Sequence, residues 1–372
     1  MTDAPPSAAA SLVAPDALRR FWHTGRGYWF SLNGGSLIGL LVVIVVLQLL
    51  MQYRLNLWNR DFFNALGARA AGEIWNETRM LLVLVAASVT LSVTAVWARM
   101  TFQRLWRNWL TGGLIGNWLA DQHYQRVGFV NGQRQNAEYR ITEDARIATE
   151  APIDLCVGLL TSLLTAATFV TVLWNIGGTL KLDLGSGTVA IPGYLVIASM
   201  LYAACTTLGV LVFARNMVDV IERKNQAEAD FKYVVARVNT RTTLAPHPED
   251  AGILADAQAA VIYQWKRLCG QYMRTTLVSN VNYLVAPIIG LILCTPKYVA
   301  GLMSLGEVTQ AAAAFVAVQG AFNWLVDNYP RAAEWLSSAH RVGTLLGSLE
   351  TLDSAATTDP LPYRAPSHTP DI

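Results

Sequence analysis

The polar residues with the most to do in this chain sit where polarity is costly. From Val308 to Val326, nineteen residues pass without a charge. At ~1.5 Å per helical residue, that just covers a bilayer's hydrocarbon core. Gln319, Asn323 and Asp327 recur there at every fourth position, so on a helix they share one face. A stripe of amides ending in a carboxylate suits a wall facing water or polar cargo, because ionisable groups avoid lipid. The carboxylate can gather cationic cargo, carry a proton, or anchor the helix end at the interface. Asn280 and Asn282 stand in another apolar run, where they either face the same cavity or hydrogen-bond neighbouring helices. Together these five residues form the candidate substrate cavity. Covalent chemistry is not provided for. The patterns G-x-x-x-x-G-K-[ST], HExxH and GxSxG do not occur, and the histidines (His23, His123, His247, His340, His368) are scattered. The four cysteines, Cys156, Cys205, Cys269 and Cys294, form no CxxC and are expected as buried thiols, not metal ligands. No catalytic residue, resident metal or cofactor is therefore assigned to this chain.

The elements that must position the stripe are membrane helices. The chain is 53% hydrophobic and only 15% charged, where a soluble domain carries about a quarter charged residues. Its net charge of +2 is too small to argue for a nucleic-acid partner. Charge-poor runs predict six spans, near 28–53, 80–104, 153–178, 192–215, 275–296 and 306–328. The first acts as an uncleaved anchor, being too long for a signal peptide. Residues 1–18, rich in Ala, Pro and Ser, are expected as a disordered tail. The glycine-rich start of the fourth run, through Gly193, reads as loop. Six spans put both termini on one side. Of the 28 Lys and Arg, 22 flank that side and six the other, so the positive-inside rule places both termini in the cytoplasm.

Two long segments then lie in the cytoplasm. Arg99–Glu150 reads as a helix running on from the second span, with Trp106, Trp109 and Trp118 demanding burial. Asn136 can cap a helix start, and Arg140 can pair with Asp144 one turn later. Arg215–Arg274 behaves alike, broken at Pro246-His247-Pro248. On the other side, Asn56–Leu66 alternates aromatic and polar residues, as an interfacial helical extension would. It either anchors at the membrane surface or touches substrate.

A resemblance runs through about residues 20–345. Leu305, Gly306, Gln310, Ala314, Phe315, Trp324, Val326, Asp327, Asn328, Tyr329, Ala333, Glu334 and Trp335 follow the pattern of a last membrane helix. That helix belongs to the SbmA/BacA-like transmembrane domain of bacterial ABC transporters related to the peroxisomal (ABCD-type) half-transporters. Trp106–Thr111 with Asn117-Trp118-Leu119, and Asn136–Ile141 with Glu143-Asp144, resemble the family's first coupling region, although Glu138 and Tyr139 replace the usual D-Q. Glu228–Tyr233 resembles the approach to the second, but the stretch Val238–Pro246 lacks the family's carboxylate and glycine and adds a proline. Thr295–Tyr298 with Ala300-Gly301 resembles the turn before the last span.

The resemblance implies an all-α membrane protein of six transmembrane helices. It would be an exporter-type (type IV) ABC transmembrane domain with long cytoplasmic helix extensions, occupying 19–345. Residues 346–372 are then a linker that would lead to an ATPase domain absent from this chain. The implied function is a permease subunit in the cell inner membrane, working as a homodimer within the lipid bilayer. Its cargo would be bulky and amphipathic: peptide antibiotics, cobalamin- or bleomycin-like compounds, or long acyl chains. ATP and Mg would sit on a partner ABC ATPase domain or subunit, which would carry out hydrolysis. Asn136, Arg140, Asp144, Glu228 and Asp230 would couple the chain to it. The alternatives are an ATPase-free, proton-driven SbmA/BacA-like peptide importer and a non-transporting membrane scaffold.

Overall fold

A computed structural model describes residues 15–120, 123, 137–183, 188–214, 217–241 and 248–358. The elements are α1 (Pro15–Trp29), α2 (Leu32–Gly67), α3 (Ala71–Leu119), α4 (Ala137–Gly177), β1 (Thr179–Asp183), β2 (Thr188–Pro192), α5 (Tyr194–Ala214), α6 (Met217–Arg241), α7 (Pro248–Val299) and α8 (Leu305–Thr358). Asn136 and residues 242–247, which include the Pro246-His247 break singled out above, lie outside the described residues.

Among the described residues, four helices are long and apolar enough to cross a membrane: Gly34–Gly67, Ala71–Leu119, Ala137–Gly177 and Ala251–Val299. Tyr194–Gly209 is apolar but shorter, and α8 is not among the four. Its Val308–Val326 run spends its length on alanines, Gln310, Gln319 and Asn323, which lowers hydropathy without adding charge. Helix length far exceeds a bilayer core in α3, α7 and α8, which have 49, 52 and 54 residues. At ~1.5 Å per residue each spans ~75–80 Å, more than twice the thickness of a bilayer core.

Four expectations need correction. The first apolar helix begins at Leu32, not near residue 28. Ser31 breaks the chain there: its Oγ donates to the Tyr28 carbonyl (2.7 Å) and accepts from Gly34 N–H (3.1 Å), as a cap does. Pro15–Trp29 is instead a separate helix, so residues 15–18 are ordered rather than part of a disordered tail. The loop expected before span four is in part a β-hairpin, a small insertion in an otherwise helical fold. β1 and β2 pair antiparallel from Thr179↔Pro192 to Asp183↔Thr188. Gly178 and Gly193, at φ +52° and +60°, close its base, with Gly193 N–H donating to the Gly178 carbonyl at 2.8 Å. Finally, Cys156, Cys205 and Cys269 are exposed, and only Cys294 is buried.

The chain divides into two compact units. One comprises residues 1–51, 83–161 and 327–372. Its core stacks Ala98, Phe102, Trp106, Leu110 and Leu114, one per turn of α3, against Ala145 and Ala148 of α4 and Ala339, Val342 and Leu345 of α8. The amphipathic α1 seals it through Phe21 and Tyr28. Gly343 and Gly347, four apart on α8, let α1 come close: a Cβ on either would lie 2.0 Å from the Ala17 carbonyl or 1.9 Å from Arg20 Nη1. The other unit comprises 52–82 and 162–326. Phe169, Leu173, Leu195, Cys294, Ala314, Phe315 and Val318 form its core.

Candidate functional site

The stretch expected to be the first coupling region opens α4, and its backbone is unusual. Arg140–Asp144 is a π-turn, with Ala145 N–H donating to the Arg140 carbonyl five residues back. One extra residue in the turn rotates the helix beyond it, and such bulges concentrate at functional sites. Here the turn buries Ile141 and Asp144 together. Asp144 has a side chain with no solvent exposure and receives two hydrogen bonds from Arg341 of α8, Nη2 to Oδ1 at 2.6 Å and Nε to Oδ2 at 2.8 Å. A two-pronged guanidinium–carboxylate pair is the strongest and most directional ion pair available to a protein. Those bonds raise the Arg341 pKa above its ordinary value.

The expected one-turn pair of Arg140 with Asp144 is therefore not the main contact. Asp144 takes its hydrogen bonds from α8, while Arg140 Nη1 donates to the Arg341 carbonyl at 3.4 Å. Burial lowers the Arg140 pKa, and the Asp144 charge opposes that shift. Arg341 was not legible as a site residue, because it lies 197 positions from its partner.

Further along α4, the network continues to α3 and α8. Arg146 holds Glu143 at 2.7 Å and Glu150 at 2.8 Å; the bond to Arg146 lowers the Glu143 pKa. Glu150 also meets Arg107 of α3 at 3.5 Å. Asp154, one turn on, gathers Arg99 (3.3 Å) and Gln103 (2.9 Å) from α3 and Arg331 from α8. The carboxylates of α4 thus tie three helices together at the level where the sequence places the membrane boundary.

The second candidate coupling residues belong to the other unit. Glu228 on α6 accepts from Trp265 Nε1 of α7 at 3.1 Å and pairs with Lys224 at 3.4 Å. The Lys224 ammonium sits 5.0 Å from the centre of the Trp265 ring. Glu228 therefore clamps α6 to α7, and the indole bond lowers its pKa. Asp230 is exposed and accepts from Gln226 at 3.2 Å.

The cavity stripe is not uniform. Gln319 is 2% exposed and its Nε2 donates to the Ser199 carbonyl of α5 at 2.8 Å, so it joins helices and does not line an open wall. Asn323 is half-buried and Asp327 exposed. Asn280 is exposed, while Asn282 is half-buried with an Oδ1 that has no partner among the described residues. Of the five, Gln319 alone is closed off by its neighbours.

Asn56–Leu66 continues α2 as a helix, and its task is a third one. Asn56 Nδ2 donates to the Gln310 carbonyl (3.0 Å) and Asn64 Oδ1 accepts from Gly306 N–H (2.9 Å). A Cβ on Gly306 would fall 2.0 Å from the Arg60 carbonyl, which gives the Leu305-Gly306 pair its physical reason. The segment docks the start of α8. In the last turn of α7, Lys297 donates to the Gly177 carbonyl at the end of α4 and lies 5.3 Å from the Tyr194 ring.

Comparison with known proteins now decides the family. Residues 27–243 match the family described as ABC transporter transmembrane region 2. The chain belongs to this family. This ABC membrane region is 26% identical over 328 residues to the inner membrane ABC transporter ATP-binding protein YddA of Escherichia coli K12, covering 83% of this chain and 57% of that protein. It is 22% identical over 347 residues to an uncharacterized ABC transporter ATP-binding protein of Haemophilus influenzae, covering 88% and 58%. It is also 22% identical over 346 residues to the chloroplastic ABC transporter D family member 2 of Arabidopsis thaliana, covering 87% and 45%. The expected kinship to ABCD-type transporters is borne out. The chain spans about half the length of the curated relatives it matches. With its apolar helices, it is a multi-pass membrane protein.

Proposed function

We propose that the chain is the permease half of an ABC transporter, moving bulky amphipathic cargo across the inner membrane as a homodimer. ATP hydrolysis occurs on an ABC ATPase domain or subunit outside these residues. Six spans cross the bilayer, α5 and the first half of α8 joining the four apolar helices, and both termini are cytoplasmic. The observation that carries this reading is the Asp144–Arg341 pair. It fastens the first coupling region to the extension of α8, so a push on the π-turn moves the helix that bears Asp327. Asp154, held by Arg99 and Arg331, passes the same movement to α3. The faces of α6 and α7 outside the expected spans leave Tyr233, Ile262 and Tyr263 exposed by 60–69%. Apolar side chains on a solvent-side surface favour a protein partner, and a second copy supplies it. The relatives' names, which specify ATP binding, favour ATP over a proton gradient as the energy source.

The test is energetic. Membrane vesicles containing the chain and its ATPase accumulate an amphipathic peptide in the presence of ATP. Orthovanadate abolishes accumulation and a protonophore leaves it intact. The reverse pattern replaces this proposal with a proton-driven importer.

A further inference from the structure

One charged groove of the first unit borders the α4 ion-pair network and shares Gln103, Arg107 and Glu150 with it. It runs along α3, where Gln103, Arg104, Arg107, Asn108 and Thr111 line it, with Glu150 of α4 on its other wall. Arg104 is exposed, and its guanidinium makes no ion pair or hydrogen bond among the described residues. Arg107 is 44% exposed and meets Glu150 only at 3.5 Å, because Arg146 already holds that carboxylate at 2.8 Å. The groove therefore keeps positive charge in excess. Thr111 Oγ1 lies buried on its wall with no hydrogen-bond partner among the described residues.

The stretch of α3 on the N-terminal side of the groove selects its ligand. Val93, Trp97 and Met100 stand three and four residues apart, with Arg104 next in the series, so all four share one face. The three apolar side chains are 65%, 58% and 60% exposed. Only 6% of the most apolar window of α3 is buried, so this face meets lipid or another chain. An indole at Trp97 suits the membrane interface, and Arg104 lies ~10 Å further along the helix. Apolar stripe, interfacial tryptophan, then two arginines, an amide and a hydroxyl is the order of groups in a phospholipid, read from its chains to its phosphate.

We propose that this groove binds the phosphate headgroup of an anionic phospholipid, with Arg104 and Arg107 on the phosphate oxygens, Asn108 and Thr111 donating beside them, and the acyl chains along Val93–Trp97–Met100. Guanidinium groups match phosphate geometry, and basic pockets at the membrane border hold anionic headgroups. The apolar stripe makes lipid the source of the phosphate rather than a free anion. From the proposed function it takes only that α3 leaves the membrane near residue 104.

The test is native mass spectrometry of the purified full chain in mild detergent, with equimolar phosphatidylglycerol and phosphatidylcholine. The wild type retains phosphatidylglycerol at least fivefold more. Arg104→Gln/Arg107→Gln brings the ratio near one, Arg104→Lys/Arg107→Lys keeps at least half of the preference, and Arg69→Gln/Arg79→Gln changes nothing. Equal retention of both lipids by the wild type overturns the proposal, as does an unchanged ratio in the glutamine variant. Displacement of the lipid by millimolar inorganic phosphate makes the ligand a free phosphate and also overturns it. A glutamine variant that loses its partner copy but keeps the lipid marks the face as a contact between chains. If the glutamine variant does not fold, the wild-type ratio and the phosphate competition decide. None of these measurements uses ATP, cargo or a defined orientation, so they stand or fall separately from the transport test.

Discussion

Removing Arg341 should expose how the coupling region is held. Arg341→Gln leaves Asp144 charged in a site with no solvent exposure, whereas Arg341 itself is 39% exposed at the side chain. Breaking a fully buried pair by removing one partner costs about 3–5 kcal/mol; with one end partly hydrated and Arg140 nearby, about 2–3 kcal/mol is the working figure. Asp144→Asn leaves behind only a guanidinium that water can reach, so its cost should be smaller, about 1 kcal/mol. The asymmetry is the diagnostic feature. At roughly 2–4 °C per kcal/mol for a large domain, Arg341→Gln should lower the thermal midpoint by roughly 5–10 °C, measured by fluorescence size-exclusion after heating in detergent. The double variant should cost less than the sum, with a coupling of about 1 kcal/mol or more. Additive effects within about 0.5 kcal/mol, or a larger cost for Asp144→Asn, would refute the argument that a buried carboxylate depends on this arginine.

Gly306→Ala drives a methyl toward the Arg60 carbonyl and should cost about 1–3 kcal/mol, read as loss of folded protein on the same assay; Gly320→Ala, with open space beside it, should be silent. Gln319→Leu removes a hydrogen bond but also an orphaned buried oxygen, so a change within about 1 kcal/mol is expected, with cargo preference unaltered. Asp327→Asn should reduce transport at normal membrane levels; unchanged uptake and pH dependence would make Asp327 an anchor. The Glu143 carboxylate, held below its ordinary value near 4.5 by Arg146, contributes fully above that value and loses its contribution as pH falls through the lower folded-state value. Arg146→Gln should therefore flatten the acid limb of the stability–pH curve below about pH 4.5. For topology, single cysteines placed at Asp230 or at Glu73 in a cysteine-free background should react oppositely with an impermeant thiol reagent on intact cells: Glu73→Cys labelled, Asp230→Cys protected.

Length without charge is written locally, so the apolar runs in α2, α3, α4 and α7 were legible as membrane helices, and tryptophans such as Trp106 and Trp118 carried α3 past the apolar run. Order and type of residues around Leu305–Trp335 and Trp106–Asp144 were enough to recognise the family. Side-chain partners were not legible, because a stripe such as Gln319, Asn323, Asp327 fixes a face without fixing what covers it. Only packing put Ser199 opposite Gln319, leaving the Asp327 end open. The same limit hid Arg341: a carboxylate's local neighbours suggested Arg140, but the π-turn rotates Asp144 toward α8, where a partner 197 residues away offers two-pronged geometry that a one-turn neighbour on the same helix does not. The Gly343-x-x-x-Gly347 spacing was present in the sequence, but the element it makes room for, the separate helix α1, emerged only in the folded chain. Periodicity records which way a residue faces, and tertiary structure alone brings distant faces within hydrogen-bonding reach.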